Sequence, residues 1–106
     1  MKTIKESIFE YIKGRGHVSY AELSRDIEGF DGDFAYQLKP GLILWSGLSL
    51  EASQAINELV KEKAITINAA SVMVYMIDGI MPRLPVAKRI KPYKNPRWLP
   101  VTFNAR

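Results

Sequence analysis

Five prolines fall between positions 82 and 100 (Pro82, Pro85, Pro92, Pro96 and Pro100). No long helix can run through them, because each ring removes a backbone donor and clashes with the preceding turn. A helical core must therefore come from the residues before them. The same stretch is basic. From Arg83 to Arg106 the chain carries seven cations (Arg83, Lys88, Arg89, Lys91, Lys94, Arg97 and Arg106) and no carboxylate, while the preceding residues hold the other eight Lys and Arg against all eleven Asp and Glu. A formal net charge of +4 thus conceals an acidic body near −3 and a tail near +7. Such asymmetry points to an anionic partner, nucleic acid first. Val86, Ile90, Tyr93, Trp98, Leu99, Val101 and Phe103 stand among the cations. The stretch therefore reads as an extended arm, at least part of which packs on the body or on a partner.

Upstream, the helix signals are local and specific. Thr3 with Glu6 has capping-box spacing, and Ile4, Ile8, Tyr11 and Ile12 follow as one apolar stripe before Lys13 and Gly14; this predicts a helix over Thr3 to Lys13. Ser19 with Glu22 repeats the box, and Val18 with Leu23 adds a hydrophobic staple, so a second helix starts at Tyr20 and ends at Gly29. Gly16 to Val18 suits a short strand between them. Ser49 caps a third helix over Leu50 to Lys63, whose stripe is Ala52, Ala55, Ile56, Leu59 and Val60. Between Phe30 and Gly47 the punctuation of Asp31, Gly32, Asp33, Pro40 and Gly41 predicts a short helical turn followed by a brief strand at Leu42 to Trp45. Ala64 to Asn68 and Val72 to Asp78 are rich in β-branched residues, which predicts a hairpin turning at Asn68-Ala69-Ala70-Ser71 and closed by Asp78-Gly79.

A chain of 106 residues supports one core, so the expected organisation is a domain over residues 1–80 and an arm over residues 81–106. There is no cysteine, which fits an intracellular, cytoplasmic protein better than a small secreted one. Apolar runs such as Gly41 to Trp45 and Ala69 to Ile77 fall far short of the roughly 20 residues a membrane span needs, and the N-terminus lacks a signal-peptide apolar region. No membrane partner is expected.

Helix, short strand, helix, irregular connection, helix and hairpin is an order of elements that resembles the winged helix-turn-helix superfamily over residues 3–78. The matching stretches are Ile8-Phe9-Glu10-Tyr11-Ile12, His17-Val18-Ser19-Tyr20-Ala21-Glu22-Leu23, Ala55-Ile56-Asn57-Glu58-Leu59-Val60 and Val72 to Ile77. Small uncharacterised proteins of phage and mobile elements look similar in size and layout. The resemblance implies an α+β fold, a winged helix with a three-helix core and a C-terminal β-hairpin wing, here followed by the extended basic arm. It also implies DNA as partner, with the third helix in the major groove and the wing on the backbone.

Two groups of residues are candidates for that contact. Rotation at 100° per residue puts Ser53, Gln54, Asn57, Glu58 and Lys61 on the outward face of the third helix, where Gln54 and Asn57 suit adenine and Lys61 suits phosphate. Glu51, Glu58 and Glu62 oppose a polyanion there, so an ordinary solvated face is the competing reading. In the arm, Lys88, Arg89, Lys91, Lys94 and Arg97 lie within ten residues, interleaved with Tyr93 and Trp98, a pattern of charge plus stacking that suits nucleic acid. The competing reading there is a surface arm anchored by its two aromatics.

Catalysis and metal binding have little to stand on. His17 is the single histidine, read as a strand-edge residue; with no cysteine beside it, neither a zinc site nor a Cys-His dyad can be assembled. Asp31-Gly32-Asp33 lacks the remaining ligands of a calcium loop and reads as a turn. Trp45 reads as a core or interface aromatic. No phosphate loop, nucleophile elbow or metalloprotease motif occurs, and no cofactor is expected. The leading expectation is a small, homodimeric DNA-binding protein acting as a transcriptional regulator or accessory factor. The alternative is a protein-interaction or assembly module that touches no nucleic acid.

Overall fold

Both capping boxes start helices. In the computed structural model, which describes residues 2–78 and 84–106, the Thr3 hydroxyl accepts from the Glu6 N–H at 3.1 Å and opens α1 (Ile4–Arg15). The Ser19 hydroxyl accepts from the Glu22 N–H at 3.1 Å and opens α2 (Tyr20–Asp26) directly after β1 (Val18–Ser19). His17 precedes β1, is exposed, and donates its N–H to the Asn104 side chain at 2.9 Å. Ser49 caps α3 (Leu50–Lys61), accepting from the Ala52 N–H at 3.1 Å. The three helices lie where their caps and apolar stripes put them.

The strands do not, and the winged-helix expectation fails on them. Residues 30–47, read as a helical turn and a brief strand, form a long hairpin: β2 (Asp31–Lys39) runs antiparallel to β3 (Leu42–Leu48) around Pro40-Gly41. Gly41 takes φ 76°, the left-handed value that the third residue of a type II turn requires after a proline. The Asp31-Gly32-Asp33 stretch opens β2 and is no turn; a Cβ on Gly32 would lie 2.5 Å from the Leu48 carbonyl, so the glycine permits the strand to close on the α3 entry.

The expected wing is also replaced. β4 (Ile65–Ala69) has no partner in Val72 to Asp78, which forms a helix, α4 (Val72–Asp78), whose start the Ser71 hydroxyl supports by accepting the Met73 N–H at 3.2 Å. Its antiparallel partner is β6 (Val101–Ala105), in the register Ile65↔Ala105, Ile67↔Phe103 and Ala69↔Val101. A strand needs a ladder, and β6, alternating Val101 and Phe103 with Thr102 and Asn104, occupies that slot. Residues 72–78 instead turn helical and bury Tyr75. The expected closure of a second strand at Asp78-Gly79 falls partly on residue 79, which, like Pro82 and Arg83, lies outside the described residues.

Two three-stranded sheets result, in the orders β1-β6-β4 and β2-β3-β5, where β5 (Arg97–Trp98) runs parallel to β3. The chain steps from one sheet to the other across Leu99-Pro100. The expected extended arm is therefore in large part core: Trp98, Val101 and Phe103 are buried, and β6 is the central strand of its sheet.

An aromatic cluster joins the layers. Tyr20 stacks on Trp45 with ring centres 5.6 Å apart and meets Phe103 edge-on at 4.9 Å, while Tyr75 lies 5.5 Å from Trp45 and edge-on to Trp98 at 5.0 Å. Such geometry contributes beyond burial alone. The polar ends are mostly satisfied: Trp98 Nε1 donates to the Leu44 carbonyl at 3.1 Å, and the Tyr75 hydroxyl donates to the Val101 carbonyl at 2.6 Å while accepting the Tyr20 N–H at 3.0 Å. No helix among the described residues is long and apolar enough to cross a membrane.

Candidate nucleic-acid interface

The cations of the C-terminal quarter are presented by a tied loop, residues 84–98. Its ends close on each other where the Ala87 N–H donates to the Trp98 carbonyl at 2.7 Å and the Trp98 N–H to the Pro85 carbonyl at 2.8 Å. Within it the Tyr93 hydroxyl accepts the Arg89 N–H at 3.1 Å and donates to the Arg89 carbonyl at 3.0 Å, a clamp that shapes the Arg89 to Tyr93 turn. Its far side rests on the β2–β3 hairpin tip: the Tyr93 N–H donates to the Pro40 carbonyl at 2.9 Å and the Arg97 N–H to the Gly41 carbonyl at 2.8 Å. The approach is so close that a Cβ at Gly41 would fall 2.2 Å from the Tyr93 carbonyl oxygen. Gln37 supports the same corner by accepting the Gly41 N–H at 3.0 Å.

Lys88, Arg89, Lys91, Tyr93 and Arg97 line one concavity of about 320 Å³. The Lys91 ammonium and the Arg97 guanidinium sit 5.2 and 5.4 Å from the centre of the Tyr93 ring, which gathers two like charges on one aromatic. Lys88, Arg89, Lys91 and Lys94 are exposed and Arg97 is half-buried. Among the described residues none of these five cations forms an ion pair, and no carboxylate lines the concavity. The acidic body balances other cations instead: Lys5 pairs with Glu62 at 2.8 Å and Glu58 at 3.5 Å, Arg15 with Glu22 at 3.6 Å, and Arg25 with Asp26 at 2.9 Å. The Arg25 guanidinium, with the Tyr11 hydroxyl, holds the Asp26 carboxyl well below the usual carboxylate range. Five cations without a carboxylate partner thus lie within one fifteen-residue loop.

Trp98, read as a stacking partner for bases, is 1% exposed and belongs to the core. Tyr93 is half-buried, its ring shared with the two cations and its hydroxyl spent on Arg89. On α3, Gln54, Asn57 and Lys61 are exposed and Ser53 is half-buried. That face is bordered on one side by β2, whose Tyr36 hydroxyl donates to Asn57 Oδ1 at 3.4 Å, and on the other by α1, whose Lys5 holds Glu58 and Glu62. Between the α3 face and the loop runs an apolar groove lined by Leu38, Val60, Ile67, Ile90 and Leu99. None of the α3 candidates is among the residues lining the concavity of the loop cations.

Pro40, Gly41 and Gln37 seat the loop, although nothing in their local sequence marks them for it. The Pro40-Gly41 pair was the available signal for the turn; its contact with Tyr93 spans some fifty residues of chain and has no local signature. Among the described residues no group of three His, Asp or Glu side chains is placed to hold a metal ion. Set against known proteins, the chain matches no protein-family model, and neither the curated proteins nor the solved structures provide a significant match.

Proposed function

We propose that the protein binds DNA through the cationic loop, by contacts to the phosphate backbone, and serves as a transcriptional regulator or an accessory DNA-binding factor. One observation carries the reading: Lys88, Arg89, Lys91 and Arg97 surround a single concavity without a carboxylate among its lining residues. Holding like charges together costs free energy unless an anion offsets it, and a polyanion offsets it best while releasing its own counterions. The backbone ties at Pro40, Gly41 and Arg89 fix the loop before any ligand arrives, so little ordering entropy is lost on binding. The outward α3 residues Gln54, Asn57 and Lys61 have weaker support, since Glu51, Glu58 and Glu62 share their helix.

Fluorescence anisotropy with a labelled random-sequence duplex at low salt tests the reading. The intact chain should bind at micromolar concentration or below, and the combined substitution Arg89→Gln, Lys91→Gln and Arg97→Gln should weaken binding by about tenfold or more. Equal affinity for the two proteins would remove the loop from the contact. The assembly reading draws support from a different observation, the exposure of Phe34, Leu38 and Ile90. It separates from the first by salt, because association through apolar side chains is not weakened by added salt.

A further inference from the structure

Four cations of the loop share one hollow instead of lying in a row. Lys91 and Arg97 both stand over the Tyr93 ring, 5.2 and 5.4 Å from its centre, and Lys88 and Arg89 complete the charged lining. Lys94, on the same loop, is exposed and is not among the lining residues. Backbone bonds hold the wall in place: the Arg97 N–H donates to the Gly41 carbonyl, and the Tyr93 hydroxyl bridges the Arg89 N–H and carbonyl. The concavity measures about 320 Å³, at the small end of the roughly 300–1,000 Å³ of ligand pockets. It has room for one phosphate group with its sugar, and none for a length of duplex.

Duplex backbone spreads its charge, with one negative charge per phosphodiester and about 3.4 Å of helix axis per strand. Internal phosphates thus form a ridge, which a stripe of cations meets better than a hollow does. A phosphomonoester differs in both respects. It carries about −1.5 to −2 charges at pH 7 with three acceptor oxygens, and it stands at a chain end, free to enter a hollow. The guanidinium forks of Arg89 and Arg97 suit its oxygens, while Lys88 and Lys91 add point charge. We infer that the concavity seats a phosphomonoester, the terminal phosphate of a DNA strand, so that the protein prefers phosphorylated strand ends to continuous backbone. The inference rests on the proposed DNA contact and specifies where on the DNA the loop sits.

Two blunt duplexes of one sequence, labelled internally, one with phosphorylated and one with hydroxyl ends, test this by fluorescence anisotropy at a fixed salt concentration. The full chain should bind the phosphorylated duplex about tenfold more tightly. In the double variant Arg89→Gln and Arg97→Gln, its folding verified by circular dichroism, the preference should disappear. Lys94→Gln, outside the hollow, should weaken both duplexes alike and keep the preference. Excess deoxyadenosine monophosphate should displace the phosphorylated duplex where deoxyadenosine does not. Equal affinity for the two duplexes, or a double variant that keeps the preference, would overturn the inference and leave backbone binding in place; no binding to either duplex would overturn the DNA contact as well. A monophosphate that binds more tightly than the phosphorylated duplex would give the concavity to a free nucleotide and overturn its assignment to a strand end.

Discussion

Two tyrosine hydroxyls in one aromatic core meet opposite fates. That of Tyr75 bridges the Tyr20 N–H and the Val101 carbonyl, tying the start of α2 to β6. That of Tyr20 is buried with no hydrogen-bond partner among the described residues, and burial pushes its phenol pKa well up. Removing a satisfied buried hydroxyl strands its partners, whereas removing an unsatisfied one relieves a desolvation cost. Tyr75→Phe should therefore lower stability by about 1–3 kcal/mol, and Tyr20→Phe should leave it within about 1 kcal/mol of the parent, on the stabilising side. Urea denaturation of both variants measures this. Equal losses would mean that the Tyr20 hydroxyl has a partner in solution. The same core explains why Trp98 is unsuited to stacking on bases: its indole N–H and its ring are both committed inside.

At the scale of elements, the hairpin tip is where the β2–β3 sheet and the cationic loop meet. Gly41→Ala places a side chain at φ 76° and against the Tyr93 carbonyl, so the loop must lift or the turn must strain. The expected loss is about 1–3 kcal/mol by denaturant titration, together with weaker DNA binding; unchanged stability and affinity would show that the tip does not seat the loop. This coupling also shows which elements were legible in the sequence. The starts of α1, α2 and α3 depend on contacts within three or four residues, and Thr3/Glu6, Ser19/Glu22 and Ser49 advertise them. β2 was legible in part, through the alternation of Phe34, Tyr36 and Leu38 and the Pro40-Gly41 turn, but the aspartates and glycine at its start masked it. α4 and β6 were not separable locally: Val72 to Asp78 is as rich in strand formers as Val101 to Ala105, and which of them pairs with β4 is decided by long-range competition for one ladder. The candidate cations were legible from charge alone. Their shared concavity was not, because it depends on Tyr93 bonding to Arg89 and Pro40.

For the whole molecule, the C-terminal quarter is framework as well as the carrier of the cationic loop. β6 lies between β1 and β4, and Trp98, Val101 and Phe103 are in the core. Fully burying one such side chain contributes about 1.5–3 kcal/mol, so losing all three approaches the total stability of roughly 5–15 kcal/mol typical of a domain. A chain ending at Met81 should show no cooperative thermal transition by circular dichroism. A sigmoidal melt close to that of the full chain would mean that the first eighty residues fold without β6. The proposed contact with DNA depends on the field of the cationic loop. The most direct measurement is DNA affinity as a function of salt, for the full chain and for the variant with Lys88, Arg89, Lys91 and Arg97 all changed to Gln. A log–log slope of about −3 to −4 contributed by these four cations is expected, lost in the variant along with most of the affinity. A full chain whose binding ignores salt, or a variant with the same slope, would contradict it.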